Sequence, residues 1–184
     1  MRILLRDVRL AFPSIWKASA PSSGGEPAFS ASFIMPPNHK QLKELTAALK
    51  SVAKDKWAAK ADAIFKALEA SDKLCLHDGD TKAEYEGHEG NKFISTRTKV
   101  RPTVIDQQRN ELTEADGKPY SGCYVNASIE LWAQDNDYGK RINAQLRGVQ
   151  FLRDGDAFAG GARPADPDEF DEIGVADDVD PLTA

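Results

Sequence analysis

The run from Ser121 to Gln134 constrains this chain more than any other segment. Cys123, Val125, Ala127, Ile129 and Leu131 occupy alternate positions, with Tyr124, Asn126, Ser128, Glu130 and Trp132 between them. A period of two over this length marks a half-buried β-strand, one face in a core and the other free. Asp135-Asn-Asp-Tyr-Gly139 then reads as a turn, after which Ile142, Ala144 and Leu146 hold one phase and Val149 and Phe151 the other. Gly148 stands where the phase changes, which predicts a β-bulge that bends the second arm of a long hairpin.

Other strands are expected at Met1–Leu10, at Ala28–Met35 with Phe29, Ala31, Phe33 and Met35 on one face, at Lys92–Val100 and at Thr103–Ile105. The Ser-, Gly- and Pro-rich stretch Ala18–Pro27 is a flexible loop between the first two. Asn38 followed by Gln41 resembles a capping box, and Leu42, Leu45, Leu49, Val52, Trp57, Ala61, Ile64, Phe65 and Leu68 recur at helical spacing. Two consecutive amphipathic helices therefore fill about 38–70, with a lysine-rich outer face (Lys40, Lys43, Lys50, Lys54, Lys56, Lys60, Lys66) that solvent alone explains. Leu74-Cys-Leu76 precedes a polar connection from His77 to Gly90. The fold class is mainly β with a helical insertion. Five or six strands with a bent hairpin favour a small, partly open barrel over a sandwich or a doubly wound sheet.

At 184 residues the chain can build one sizeable core, here residues 1–163, with an appendage at 164–184. That appendage carries eight acidic side chains and no Lys or Arg. With 29 acidic residues in the whole chain, the body keeps 21 against 24 Lys and Arg, a formal +3. The net charge of −5 thus hides a mildly basic body joined to an acidic, Pro-punctuated tail that is expected to be disordered. Such a pairing suits an anionic polymer as ligand, with the tail competing for its site. No window approaches a membrane span and the N-terminus has no signal-peptide core, so a cytoplasmic location is expected. Cys75 and Cys123 lack CxxC spacing and read as reduced, partly buried thiols.

Basic and aromatic residues interleave on the late strands. Lys92, Phe93, Arg97, Lys99 and Arg101 alternate through one, while Tyr124, Trp132, Tyr138, Lys140, Arg141 and Arg147, with Tyr120, decorate the hairpin region. Single-stranded nucleic acid needs cations along its phosphates and flat rings under its bases, each stack contributing about 1–3 kcal/mol. Arg97, Lys99 and Arg101 fall on one side of a regular strand with no carboxylate among them, and such a row repels itself unless a polyanion is present. Packing against a covering helix would serve the rings equally well.

Leu76-His-Asp-Gly-Asp80, Ser121-Gly-Cys-Tyr-Val-Asn-Ala-Ser-Ile129, Leu146-Arg-Gly-Val-Gln150 and Arg153-Asp-Gly-Asp156 resemble the single-stranded-DNA-binding proteins of tailed bacteriophages and prophages, of the Enterobacter-phage type and distantly T7-like. The resemblance covers most of residues 1–160. It implies an OB-fold, non-sequence-specific binding of single-stranded DNA in phage replication or recombination, and an acidic tail that engages replication proteins. Related tails often end in an aromatic residue. This one ends Pro181-Leu-Thr-Ala184, with Phe170 its sole aromatic.

A metal-dependent nuclease is the main rival. His77, Asp78, Asp80, Glu84, His88 and Glu89 gather potential ligands, although Asp78-Gly-Asp80 is also an ordinary turn. Phosphate-binding loops, His-Glu-x-x-His and the serine nucleophile elbow are absent from the sequence, so no enzyme, metal or cofactor is expected. An RNA-binding or interaction module stays open, because stacking platforms do not distinguish the two nucleic acids without contacts to the 2′-hydroxyl.

Overall fold

A computed structural model describes residues 1–158 and 169–173. Along them run β1 (Arg2–Ser19), β2 (Ala28–Met35), α1 (Leu42–Trp57), α2 (Ala61–Ala70), β3 (Leu76–Asp78), β4 (Lys92–Thr98), β5 (Thr103–Ile105), β6 (Tyr124–Asn136) and β7 (Gly139–Arg153). The strands pair in the order β3-β4-β2-β1-β6-β7-β5, and β4 also meets β7 in parallel where Arg97 faces Gln145. Strands β4, β2, β1, β6 and β7 therefore close on themselves as a five-stranded barrel, with β3 and β5 as short flaps on its seam.

The β6–β7 hairpin follows the alternation closely. Val125, Ala127, Ile129 and Leu131 are essentially inaccessible, as are Ile142 and Leu146 across the ladder. Pairing slips between Ser128–Gly148 and Ile129–Leu146, so Arg147 is the extra residue and the expected bulge sits beside Gly148. A Cβ on Gly148 would lie 3.1 Å from the Thr103 carbonyl oxygen, which explains how β5 packs so closely on β7 there.

Strand β1 is longer than the Met1–Leu10 expected. Its first half pairs with β6 and its second half with β2, and the register slips three times on the way, once against β6 and twice against β2. Asp7 and Phe12 take left-handed backbone at the first two slips, with φ of 52° and 48°. Pro13 lies within the second slip, where the ladder needs no N–H, so proline does not end the strand.

The helices begin later than position 38, and Asn38 is not their cap. Gln41 precedes the first helical residue and turns its amide to β1, accepting from the Arg6 N–H at 2.7 Å and donating to the Leu4 carbonyl at 2.9 Å. The insertion is thereby tied to the barrel by a side chain that a capping box would have spent on its own helix. Leu45, Leu49, Val52, Phe65 and Leu68 face the core, and all seven lysines of the outer face are exposed.

A second, smaller core lies outside the barrel, where Ala11, Ile34, Phe93 and Phe158 are buried together. The segment 79–90 folds over it as a polar lid. Asp78 accepts the Asp80 N–H at 3.0 Å, Asp80 accepts the Gly90 N–H at 2.8 Å, and Gly79 is so hemmed in that a Cβ would sit 1.9 Å from the His88 carbonyl oxygen. Among the described residues no helix is long and apolar enough to cross a membrane. Most of the acidic segment 164–184, including its expected disorder, lies outside the described residues; within 169–173, Phe170 and Ile173 are exposed.

Candidate nucleic-acid interface

The barrel seam carries an open groove of about 780 Å³ lined by Arg97, Lys99, Trp132 and Arg141. Its geometry follows from register. Ser30 opposes Arg97 across β2 and β4, Arg97 opposes Gln145 across the seam, and Trp132 and Gln134 oppose Asn143 and Arg141 in the hairpin. Inward neighbours such as Ala31, Leu131 and Ile142 are buried, so these partners occupy the outer face. Trp132 is 45% exposed, an apolar ring left in water beside cations. Amides complete the surface, Asn143 donating to Gln134 at 3.0 Å.

Lys99 is less free than its strand suggested. Glu26, from the connection between β1 and β2, forms a short ion pair with Lys99, and the Arg97 guanidinium donates to the Glu26 carbonyl at 2.6 Å. The hydrogen bond and charge of Lys99 hold the Glu26 carboxyl below the ordinary carboxylate range. No carboxylate interrupts the row within the strand, but one reaches it from 71 or more positions away in sequence.

Of the other expected contacts, several face elsewhere. Phe93 is 2% exposed, stacked on His77 at 5.0 Å between ring centroids and covered by segment 79–90, so it is core and not a base platform. Tyr124 is half-buried with the Arg153 guanidinium 3.7 Å from its ring centroid; the returning chain near Gly155 packs on it, because Gly122 and Gly155 allow that crossing. Neither ring has the open face that stacking requires. Lys92 pairs with Asp78 and Lys140 with Asp135, each at 3.6 Å, and Arg147 pairs with Glu130 at 3.0 Å. Arg101 is exposed beyond the end of β4, and Tyr138 is 91% exposed at the hairpin tip. None of these five lines the groove.

Lys73 does line it, and sequence reasoning did not mark it. Lys73 follows α2 in a short connection with no periodicity, and the Leu74–Ile142 bridge, with the Ile142 N–H donating to the Lys73 carbonyl at 3.2 Å, brings it to the seam. Gln134, Asn143 and Gln145 share the outward phase of the hairpin and were legible by the same alternation that marked Trp132.

The ligand-rich stretch does other work. His77 lies 2.6 Å from Asp72, Asp78 and Asp80 hold the turn, and His88 is 1% exposed. No three of the described His, Cys, Asp and Glu residues converge as a metal site would require. Burial pushes the thiols of Cys75 and Cys123 up to about 12 and about 11, so neither is a thiolate at neutral pH.

Comparison with known proteins places the chain among relatives of known fold. The sequence pattern of the family described as Enterobacter phage Enc34, ssDNA-binding protein, matches residues 1–180. Protein p50 of Acyrthosiphon pisum secondary endosymbiont phage 1 is 43% identical over the full length of both chains. The single-stranded DNA-binding protein of bacteriophage Enc34, solved in complex with ssDNA, superposes with a TM-score of 0.72 and 29% identity, covering 86% of this chain and 89% of that one. Bacteriophage T7 gp2.5, a single-stranded DNA binding protein, shares the fold at a TM-score of 0.56 with 10% identity, over 89% of this chain and 98% of its own.

Proposed function

The chain belongs to the Enc34 single-stranded-DNA-binding family, and from that membership together with its own groove we propose that it binds single-stranded DNA without sequence preference, coating and protecting exposed strands during phage replication or recombination. The observation that carries this reading is the grouping of Lys73, Arg97, Lys99 and Arg141 around an exposed Trp132 on the outer face of β2, β4, β7 and β6. That face and the loops beside it are where OB-type barrels take oligonucleotides. Cations there neutralise phosphates and release counterions, while the indole offers a π-face to any base.

The protein acts by binding, in the host cytoplasm, with no cofactor and no catalytic step. Asp78 and Asp80 are spent on backbone N–H groups of their own loop, which supports a structural role for that stretch. The eight carboxylates of 164–184 compete with DNA for the groove and offer replication proteins a handle.

Fluorescent oligo(dT), a duplex of equal length and an RNA oligonucleotide, titrated at several salt concentrations with Mg²⁺ present, test the reading. Single-stranded DNA should bind well above duplex, remain intact, and lose affinity with salt at a log–log slope of about −0.7 per neutralised phosphate. Trp132→Ala should weaken oligo(dT) binding by about 1–3 kcal/mol with the circular dichroism spectrum unchanged. Equal affinity for duplex would overturn the groove assignment, and cleavage abolished by Asp78→Ala would make the protein a nuclease.

A further inference from the structure

Outside the groove, the exposed rings of Phe12 and Tyr85 meet edge to face with centroids 5.1 Å apart, 46% and 45% exposed. Lys82 lies near both, its Nζ 5.8 Å from the Phe12 centroid and 6.0 Å from that of Tyr85. We propose that Phe12 and Tyr85 form a second base-stacking platform, taking the same DNA strand as it leaves the groove; this rests on the single-stranded-DNA reading above.

Continuity of the sheet is the first argument. On the outer face of β2 and β4 the paired residues run Ser30–Arg97, Ser32–Ser95, Ile34–Phe93, and the last pair lies under the platform. Arg97 borders the groove, so the distance from groove to platform along β4 is four residues, about 13 Å at about 3.3 Å per residue. Ser32 and Ser95 between them are small hydroxyl residues, which leave a strand lying on this face unobstructed.

The platform is also built rather than incidental. Phe12 adopts φ of 48°, a conformation a bulky side chain occupies only where surrounding structure compels it, and the β1 register slip at that point turns its ring outward while Ala11 stays buried. His88 fills the space beneath, 1% exposed, its ring 5.5 Å from Phe12 and 5.2 Å from Phe93. Its Nδ1 is 3.1 Å from the Glu86 carbonyl oxygen, whereas its Nε2 is buried without a hydrogen-bond partner. An imidazole held there at the expense of a polar contact serves as a positioning residue for the two rings. Large apolar rings so exposed and so firmly supported are what a stacking surface needs. Glu84, Glu86 and Glu89 share the loop, so the platform offers ring faces and adds little to phosphate neutralisation.

Length dependence separates this platform from the groove. Phe12→Ala, Tyr85→Ala and Trp132→Ala proteins are titrated with oligo(dT) of about 4 and about 16 nucleotides, the limits of an OB-fold site. Phe12→Ala and Tyr85→Ala should each weaken binding of the longer oligonucleotide by about 5- to 100-fold, leave the shorter one and the salt slope unchanged, and Trp132→Ala should weaken both lengths. Wild-type affinity for the longer oligonucleotide in both Phe12→Ala and Tyr85→Ala overturns the platform. Should Phe12→Ala lose its folded spectrum, Tyr85→Ala on the exposed loop decides alone. Failure of Trp132→Ala to weaken either length refutes the groove and leaves the platform comparison readable.

Discussion

At the scale of single residues, the groove is a balance between cations and the carboxylate set against them. Glu26 pairs with Lys99 where a phosphate would sit, and both side chains are about three-quarters exposed, so the pair adds little to folding and its effect falls on binding. Glu26→Gln keeps the backbone carbonyl that receives Arg97 and removes only the competing charge. Oligo(dT) affinity should therefore rise by roughly two- to fivefold at low salt, and the gain should fade as salt screens the exposed pair. The pH dependence has a fixed sign. A carboxyl whose value is depressed by its partner stays ionised down through the ordinary carboxylate range, so the advantage of Glu26→Gln should persist from neutral pH to that range and vanish below it. Affinity measured at matched ionic strength across pH checks this, and an unaltered affinity at neutral pH removes Glu26 from the site.

At the scale of elements, segment 79–90 converts an outward strand face into core, and Gly79 is its tightest point. An added methyl at Gly79 would collide with the backbone oxygens of His88 and Asn91, at 1.9 and 2.5 Å, and neither can swing away as a side-chain end could. At Gly139 in the hairpin turn nothing lies within 4 Å, and φ of 102° is the only obstacle. Chemical denaturation should show Gly79→Ala losing about 3 kcal/mol or more and Gly139→Ala about 1–2 kcal/mol; equal losses would mean that the lid yields easily. The same lid explains what was legible. Alternation gave β2 at Ala28–Met35 and the Gly148 bulge, because a strand's two faces are written in consecutive residues. It could not tell that Phe93 lies under a loop or that Tyr124 lies under the chain returning at Gly155, since cover comes from distant segments. Phe12, Lys73 and Tyr85 were missed for the same reason: a register slip, a short connection and a polar loop have no period, and each reaches its surface only through the closed barrel.

At the scale of the whole molecule, the proposed function makes DNA binding a competition between the opposed charges of body and tail. Residues 164–184 hold eight carboxylates and no cation, joined to a body of formal charge +3 whose groove gathers Lys73, Arg97, Lys99 and Arg141. A tethered competitor acts at an effective concentration on the order of millimolar, so weak pairing of carboxylates with the groove suffices to raise the apparent dissociation constant for DNA. On that proposal phosphates would win, because one strand would place several along the groove and stack a base on Trp132 at the same time, and neither gain is open to a carboxylate. Deleting Pro164 to Ala184 should therefore tighten oligo(dT) binding by several-fold at low salt, with the difference shrinking toward the ionic strengths at which the Debye length falls to about 3 Å. The truncated protein should also show a steeper salt slope, because DNA then displaces only small ions and not the tail. A control of equal length, with Asp166, Asp168, Glu169, Asp171, Glu172, Asp177, Asp178 and Asp180 changed to Asn or Gln, should reproduce the truncation if charge is the cause. Binding that is unchanged or weaker in both variants at low salt would take the tail out of the competition.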